Sequence, residues 1–214
     1  MFNERMADAY DRIAGDYAVI NATMPATLIE FGLRFLSLTG TDAHIIDIGC
    51  GVGRDMAWLE EHGATVIGID LSPGMLAQAR SRVQGDLMQM DMRHLAFPAA
   101  HFQGAWCMAA LLHLPKGEAR GVLDETHRVL VPGGALHLSV QEGQGEAWEP
   151  VSYRTNHSVE RFFARYTWDE ANTLLNETHF RIIKSQRNDG GNRHWLQFLA
   201  TAIPVSLSDP ASGG

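Results

Sequence analysis

Residues 44–55 constrain the fold of this chain more than any other stretch. A β-branched run, His44-Ile45-Ile46-Asp47-Ile48, passes directly into Gly49-Cys50-Gly51-Val52-Gly53-Arg54-Asp55. The run has the length and make-up of a buried strand. The three alternate glycines remove side chains where the backbone turns sharply, and a helical pattern from Arg54 to Glu61 follows at once. A strand that empties into a helix through glycines leaves space against the main chain and aims free helix N–H groups at it. Such a unit belongs in a parallel sheet with helices packed on it.

The alternation continues. Thr65–Asp70 reads as a second strand, and Ser72-Pro73 opens a helix with Ser72 as N-cap and Pro73 in its first turn. Gly63 is placed to cap the helix before it. Further strands are expected over 86–90, 104–109 and 135–140, with a helix over 116–130 and a turn at Pro132-Gly133-Gly134. Thr167-Trp168-Asp169-Glu170 is a capping-box pattern that starts another helix. Two last strands, 181–187 and 193–201, flank Asn188-Asp189-Gly190-Gly191-Asn192, which is hairpin-turn chemistry and makes them antiparallel. Upstream, 5–20 and 25–38 read as helices, Pro25 falling in the first turn of the second. Residues 141–166 show no period and read as irregular. The expectation is an α/β fold of one Rossmann-like domain over 1–203, with a seven-stranded, mostly parallel sheet, helices on both faces and a flexible tail over 204–214. In such sheets ligands sit outside the carboxyl ends of the strands, at the point where strand order reverses.

Composition narrows the partners. The 214 residues carry a formal net charge of -8, which disfavours the phosphate backbone of nucleic acid. Arg154, Arg161 and Arg165 gather locally, and a solvated helix face accounts for them. Cys50 and Cys107 are too few and too far apart for a disulfide framework or zinc site, and no His and carboxylate cluster calls for a metal. No apolar run approaches membrane-spanning length, and the N-terminus lacks a signal-peptide layout, so a cytoplasmic protein is expected, as a monomer or homodimer.

Asp70 ends the second strand about 20 residues beyond the glycine loop, where a carboxylate accepts both hydroxyls of a ribose. Loop and carboxylate together point to a nucleoside-bearing ligand. The dinucleotide pattern Gly-x-Gly-x-x-Gly fails in both registers, because Arg54 or Met56 stands where the third glycine belongs. Asp47 adds negative charge near the loop, which opposes a pyrophosphate and suits an ammonium group.

These residues resemble the class I S-adenosylmethionine (SAM)-dependent methyltransferases. Ile46-Asp47-Ile48-Gly49-Cys50-Gly51-Val52-Gly53-Arg54 looks like the family's first motif, and Ile67-Gly68-Ile69-Asp70-Leu71-Ser72-Pro73-Gly74-Met75 like its acidic second motif. Asp91-Met92-Arg93 with Leu95-Ala96-Phe97-Pro98 resembles the adenine-holding segment, and Leu130-Val131-Pro132-Gly133-Gly134 the turn before strand five. The resemblance covers roughly residues 7–140 and implies SAM as cofactor and a last strand antiparallel to its neighbours. It also implies site roles. Asp47 and Gly49 face the methionine end of SAM, with Cys50, Gly51 and Gly53 completing the loop. Asp70 holds the ribose, while Leu71 and Met75 line the adenine. Asp91 accepts the adenine amine and the Met92 N–H meets a ring nitrogen. The segment Cys107-Met108-Ala109-Ala110-Leu111-Leu112-His113-Leu114-Pro115 passes the reactive methyl, so Met108 joins the cofactor set. His113 is the one titratable group in that segment and the candidate base.

The N-terminal pattern Tyr10-Asp11-x-Ile13-Ala14-x-x-Tyr17 resembles a lid helix, placing Tyr17 against SAM and Tyr10 toward the acceptor. On this reading 5–38 forms a lid and 141–166 a substrate-side insertion, with Glu142 and Trp148 as acceptor contacts and Tyr153, Glu146 and His157 as further cover. Phe162 and Phe163 read as core, as do Met88 and Met90. The Asn/Asp-Pro-Pro-Tyr segment of exocyclic-amine methyltransferases is absent after strand four. The expected activity is therefore methyl transfer to O, N or C of a small molecule. Two alternatives are a nicotinamide-dependent oxidoreductase and a non-catalytic SAM-binding protein.

Overall fold

The computed structural model describes residues 2–152, 158–190 and 193–204. Two helices, α1 (Phe2–Ile20) and α2 (Ala26–Thr39), precede an alternating series: β1 (His44–Ile48), α3 (Arg54–Glu61), β2 (Thr65–Asp70), α4 (Pro73–Ala79), β3 (Leu87–Gln89) and β4 (Phe102–Met108). A short 3₁₀ turn over Leu111–His113 leads to α5 (Lys116–Val129) and β5 (Leu130–Gln141). The chain closes with β6 (Glu146–Ser152), β7 (Ser158–Ala164), α6 (Trp168–Glu177), β8 (Phe180–Gly190) and β9 (Arg193–Ala202).

The main sheet has seven strands in the order β3-β2-β1-β4-β5-β9-β8. Strands β1 to β5 pair in parallel, and β9 runs antiparallel to both β5 and β8, as expected. Strand order reverses between β1 and β4, so the ligand crevice falls beyond their carboxyl ends. Alternation across the sheet divides the core. Ile46, Ile48, Ala105 and Cys107 face α5 and α6, while Ile45 and Trp106 face α2 and α3.

Local signals read from the sequence hold at several ends. Ser72 Oγ accepts from the Met75 N–H at 3.0 Å, and Thr167 and Glu170 form the reciprocal capping box. The β8–β9 hairpin stays in register to Gly190 opposite Arg193, while Gly191, Asn192 and the tail from 205 on lie outside the described residues.

Residues 141–166, expected to be irregular, instead continue β5 and build an antiparallel ribbon with Glu146 opposite Ala164 and Val151 opposite Val159. The ribbon is held by packing on both faces of β7. Phe162 and Ala164 enter the main core, and Val159 packs among Ala9, Ile13 and Met75. Pro150 and the glycines at 143 and 145 hide the strand pattern, and Pro150 is tolerated because β6 is the outer edge. The solvated helix face expected for the arginines is also corrected, because Arg161 stands on β7 and is 5% exposed. Tyr153, Arg154 and His157 lie outside the described residues.

Candidate functional site

A cleft of about 740 Å³, counted out to its open mouth, lies at the switch point. That is the size of a small-molecule site. Its floor is the loop after β1. Gly49 (φ 72°), Gly51 (φ 54°) and Gly53 (φ 75°) all adopt the left-handed conformation, yet their surroundings differ. A Cβ on Gly49 would stand 2.4 Å from Ala110 Cβ, so the loops after β1 and β4 touch through this glycine. A Cβ on Gly53 would meet Val83 and Ala79 at 2.8 and 3.0 Å, so this glycine seats the loop against α4. A Cβ on Gly51 would meet nothing within 4 Å, and Gly51 lines the cleft.

Asp70 at the end of β2 holds the loop and α4 together. Its Oδ2 accepts from the Gly51 N–H and its Oδ1 from the Ser72 N–H, both at 2.9 Å. Burial raises its pKa, and these N–H bonds oppose the rise.

Asp47 lies beneath the loop, 2% exposed, and its Oδ2 has no hydrogen-bond partner. Burial, with the neighbouring Asp55 and Asp70 carboxylates, lifts its pKa well above the usual range against the pull of Arg54. Arg54 is committed to Asp55 through two bonds of 2.5 and 3.0 Å, and Asp55 also accepts from Trp106 Nε1. The orphaned oxygen fits a cationic ligand group.

Helix α1 covers the cleft. Asp11 clamps it to the start of α4, accepting from Ser72 Oγ at 2.5 Å and from the Gly74 N–H at 2.7 Å. Tyr17 and Tyr10 line the cleft with their rings 5.9 Å apart. Burial raises the Tyr17 pKa, and the charges of Arg54 and Arg161 oppose it. Tyr10 Oη and His113 Nε2 lie 2.5 Å apart, His113 Nδ1 lies 2.7 Å from the Phe162 carbonyl, and Arg161 donates to Tyr10 Oη at 2.9 Å. Burial pushes the His113 pKa down to about 3, helped by the charges of Arg161 and Arg193 against the Phe162 carbonyl.

Of the residues singled out in the sequence, Tyr10, Tyr17, Gly49, Gly51 and Asp70 converge on this cleft, as do Leu71, Met75, Met92, Met108 and His113. Asp47, Cys50 and Gly53 support the floor without lining it. Asp91 stands beside the cleft, bonded to Arg93 and to Asn3 Nδ2 at 2.6 Å. Glu142 pairs with Arg187 at 2.5 Å, away from the cleft lining. Trp148 packs on Phe2 and Phe162 under the Arg5 guanidinium, and it too is absent from the lining. Asn3, Met6 and Ala7 also line the cleft, as does Met90, which reads as plain packing in the sequence. Asn3, Met6, Ala7, Tyr10 and Tyr17 form one helical stripe, so counting back from Tyr10 by threes and fours finds the first three. Among the described residues no His, Cys, Asp and Glu group could hold a metal, and no helix is long and apolar enough to cross a membrane.

A methyltransferase-domain family model matches residues 45–134, the span from β1 into β5 that builds the floor. Over that span the chain is similar to methyltransferase domains. An Aspergillus sclerotiorum O-methyltransferase is 28% identical to this chain, over 72% of the chain and 60% of its own length. The demethylmenaquinone methyltransferase of Symbiobacterium thermophilum is 34% identical, over 59% of the chain and 55% of its own length. The chain thus spans less than two thirds of these curated relatives. In three dimensions it is similar to Burkholderia thailandensis 1,6-didemethyltoxoflavin-N1-methyltransferase, solved with 1,6-didemethyltoxoflavin and S-adenosylhomocysteine bound. That likeness has a TM-score of 0.67 and 25% identity, covering 84% of this chain and 79% of the other.

Proposed function

We propose that the chain binds SAM in the cleft and transfers its methyl group to a small-molecule acceptor. The observation that carries this reading is the pairing of two carboxylates with different environments across one glycine loop. Asp70, held by two N–H groups and facing the cleft, suits a ribose diol. Asp47, buried with an orphaned oxygen, suits the ammonium of a methionine moiety. A pyrophosphate would meet both as like charges. The open space above Gly51 takes the body of the ligand, with Leu71, Met75, Met90 and Met92 as apolar walls for its base.

SAM supplies the activated methyl, so the protein's work is alignment and the exclusion of water. Helix α1 does both in this reading. It lies across the cleft as a lid, and its Tyr10 meets His113 in the turn after β4, where the acceptor enters. The single domain and the lid are part of the proposal, and the β6–β7 ribbon takes the place of the irregular insertion.

Calorimetric titration of the purified chain with SAM and with NAD tests the cofactor. Saturable SAM binding with no NAD heat is expected, and the reverse would transfer the chain to the nicotinamide enzymes. Label passing from methyl-labelled SAM to a small-molecule extract would exclude a purely binding role.

A further inference from the structure

We infer that Asn3, turned by Asp91, reads the exocyclic amine of the adenine, so that base specificity sits in the covering helix α1 and not in the floor of the cleft. The inference rests on the SAM binding proposed above.

The family resemblance gives the adenine amine to Asp91, but the lone pairs of that carboxylate are taken. Its Oδ1 accepts from the Arg93 main-chain N–H at 3.0 Å and from Arg93 Nε at 3.1 Å. Its Oδ2 accepts from Arg93 Nη2 and from Asn3 Nδ2, both at 2.6 Å. These donors fill the roughly four lone-pair sites of a carboxylate. Glu118 holds Arg93 from its far side, 2.5 Å from Nη1. Burial raises the Asp91 pKa, and the Arg93 bonds outweigh burial and leave it below its ordinary value, so the group stays a pure acceptor. Asn3 lines the cleft and Asp91 stands behind it.

A pure acceptor fixes the Asn3 amide. Its NH2 must face Asp91, which turns Oδ1 the other way. Oδ1 has no hydrogen-bond partner and is closed to water. An amide oxygen in that position calls for a donor. Met6, from the next turn of α1, and Met90 and Met92, which flank Asp91, line the same cleft, and their side chains donate nothing. The donor therefore arrives with the ligand. An adenine lying against these methionines carries one at its edge, the 6-amino group. A 6-oxo base sets oxygen against oxygen there, and a base with hydrogen at that position leaves Oδ1 unmet.

The same bond fastens the helix. Asp11 ties α1 to Ser72 and Gly74 at the start of α4, and the adenine amine ties its first turn at Asn3. Recognition of the base and closure of α1 are then one event. No local stretch of sequence carries this device, since 88 residues separate Asn3 from Asp91.

Two ligands test it by calorimetry on the full chain: S-adenosylhomocysteine, and its analogue with hydrogen in place of the 6-amino group. The parent should prefer the amine by about 10-fold, the worth of one hydrogen bond to a covered acceptor. Asn3→Leu fills similar space without an acceptor, and its preference should fall to within about twofold. The readout is a ratio, so a general loosening of α1 cancels. An Asn3→Leu chain that keeps the parent's preference, or a parent that has none, overturns the inference. Asp91→Ala should lower the same ratio, because Asn3 loses its hold, and an unchanged ratio there removes Asp91 as the positioning residue. Hydrogen exchange needs no substitution. At equal saturation the first two turns of α1 should exchange more slowly with S-adenosylhomocysteine than with the analogue, and equal protection overturns the fastening. A parent chain that binds neither ligand refutes the reading beneath it.

Discussion

Replacing Asp47 by Asn should stabilise the ligand-free protein while weakening SAM. Asp47 is 2% exposed with Oδ2 unpartnered, and the nearest guanidinium, Arg54, is spent on Asp55. Burying an unmet polar group costs about 1–3 kcal/mol, more when it is charged. An uncharged amide of the same shape should recover about 1–3 kcal/mol of that. For a chain of this size each kcal/mol moves Tm by about 2–4 °C, so a rise of about 2–12 °C is expected. The sign follows from the raised pKa. A carboxyl whose folded pKa exceeds its unfolded one contributes stability that is complete below the unfolded value and lost as pH rises through the folded one. The advantage of Asn should therefore be greatest in neutral to alkaline buffer and shrink on acidification. In the proposed function the ammonium supplies the missing partner of Asp47, and losing that charged hydrogen bond would remove about 1.5–3 kcal/mol, or about 10- to 150-fold in Kd. Thermal unfolding without ligand at two pH values, with calorimetric titration of SAM, measures both. A variant that melts lower and binds SAM unchanged would make Asp47 a structural residue and remove the ammonium from the argument.

Three further substitutions separate the roles around the loop. Asp70→Asn keeps one acceptor for the Gly51 and Ser72 N–H groups and sets an NH2 against the other, so SAM affinity should fall by about 1–3 kcal/mol in calorimetry. An unchanged Kd would withdraw the ribose assignment. Gly51→Val projects into open space and should abolish detectable SAM binding in a chain that still folds by circular dichroism, with about 1–3 kcal/mol lost to its φ of 54°. Saturation by SAM would place the ligand elsewhere. Gly49→Ala drives a methyl to 2.4 Å from Ala110 Cβ and should destabilise by about 2–5 kcal/mol in denaturant unfolding, from overpacking and strain combined. A melt like the parent's would show that the β1 and β4 loops do not meet there.

The parallel half of the sheet was legible because its information is local. Ile45, Ile46 and Ile48 are fully buried in a strand covered on both faces, so the run is apolar but for Asp47. The caps at Ser72 and Thr167 were legible for the same reason, since a side chain and its own helix form them. The β6–β7 ribbon was not. Glu146, Pro150 and Ser152 are poor strand formers, and their conformation comes from β7 being gripped between α1 and the core, a tertiary effect that residue preference does not carry. The start of α1 at Phe2 was missed because Phe2 packs on Trp148 and Phe162, partners far along the chain.

The two halves of the candidate site divide along the same line. The donor half lies within 49–92, where loop, carboxylate and methionines follow one another through two strand–helix units. A ligand shared by a whole family leaves its mark in such contiguous stretches. The acceptor half of the proposed function is assembled from α1, the turn after β4 and β7. Its readable residues, Tyr10 and His113, were visible singly, while Arg161 looked like one of three surface cations. What turns them into a site is that Arg161 is buried and aimed at Tyr10 oxygen, which depends on the ribbon folding against α1. Glu142 and Trp148 failed to reach the cleft for the mirror-image reason. The ribbon that delivers Arg161 turns Trp148 onto Phe2 and leaves Glu142 to Arg187. In the proposed function, acceptor specificity follows from how β7 docks on α1, and substitutions at that contact should move acceptor preference before they touch SAM.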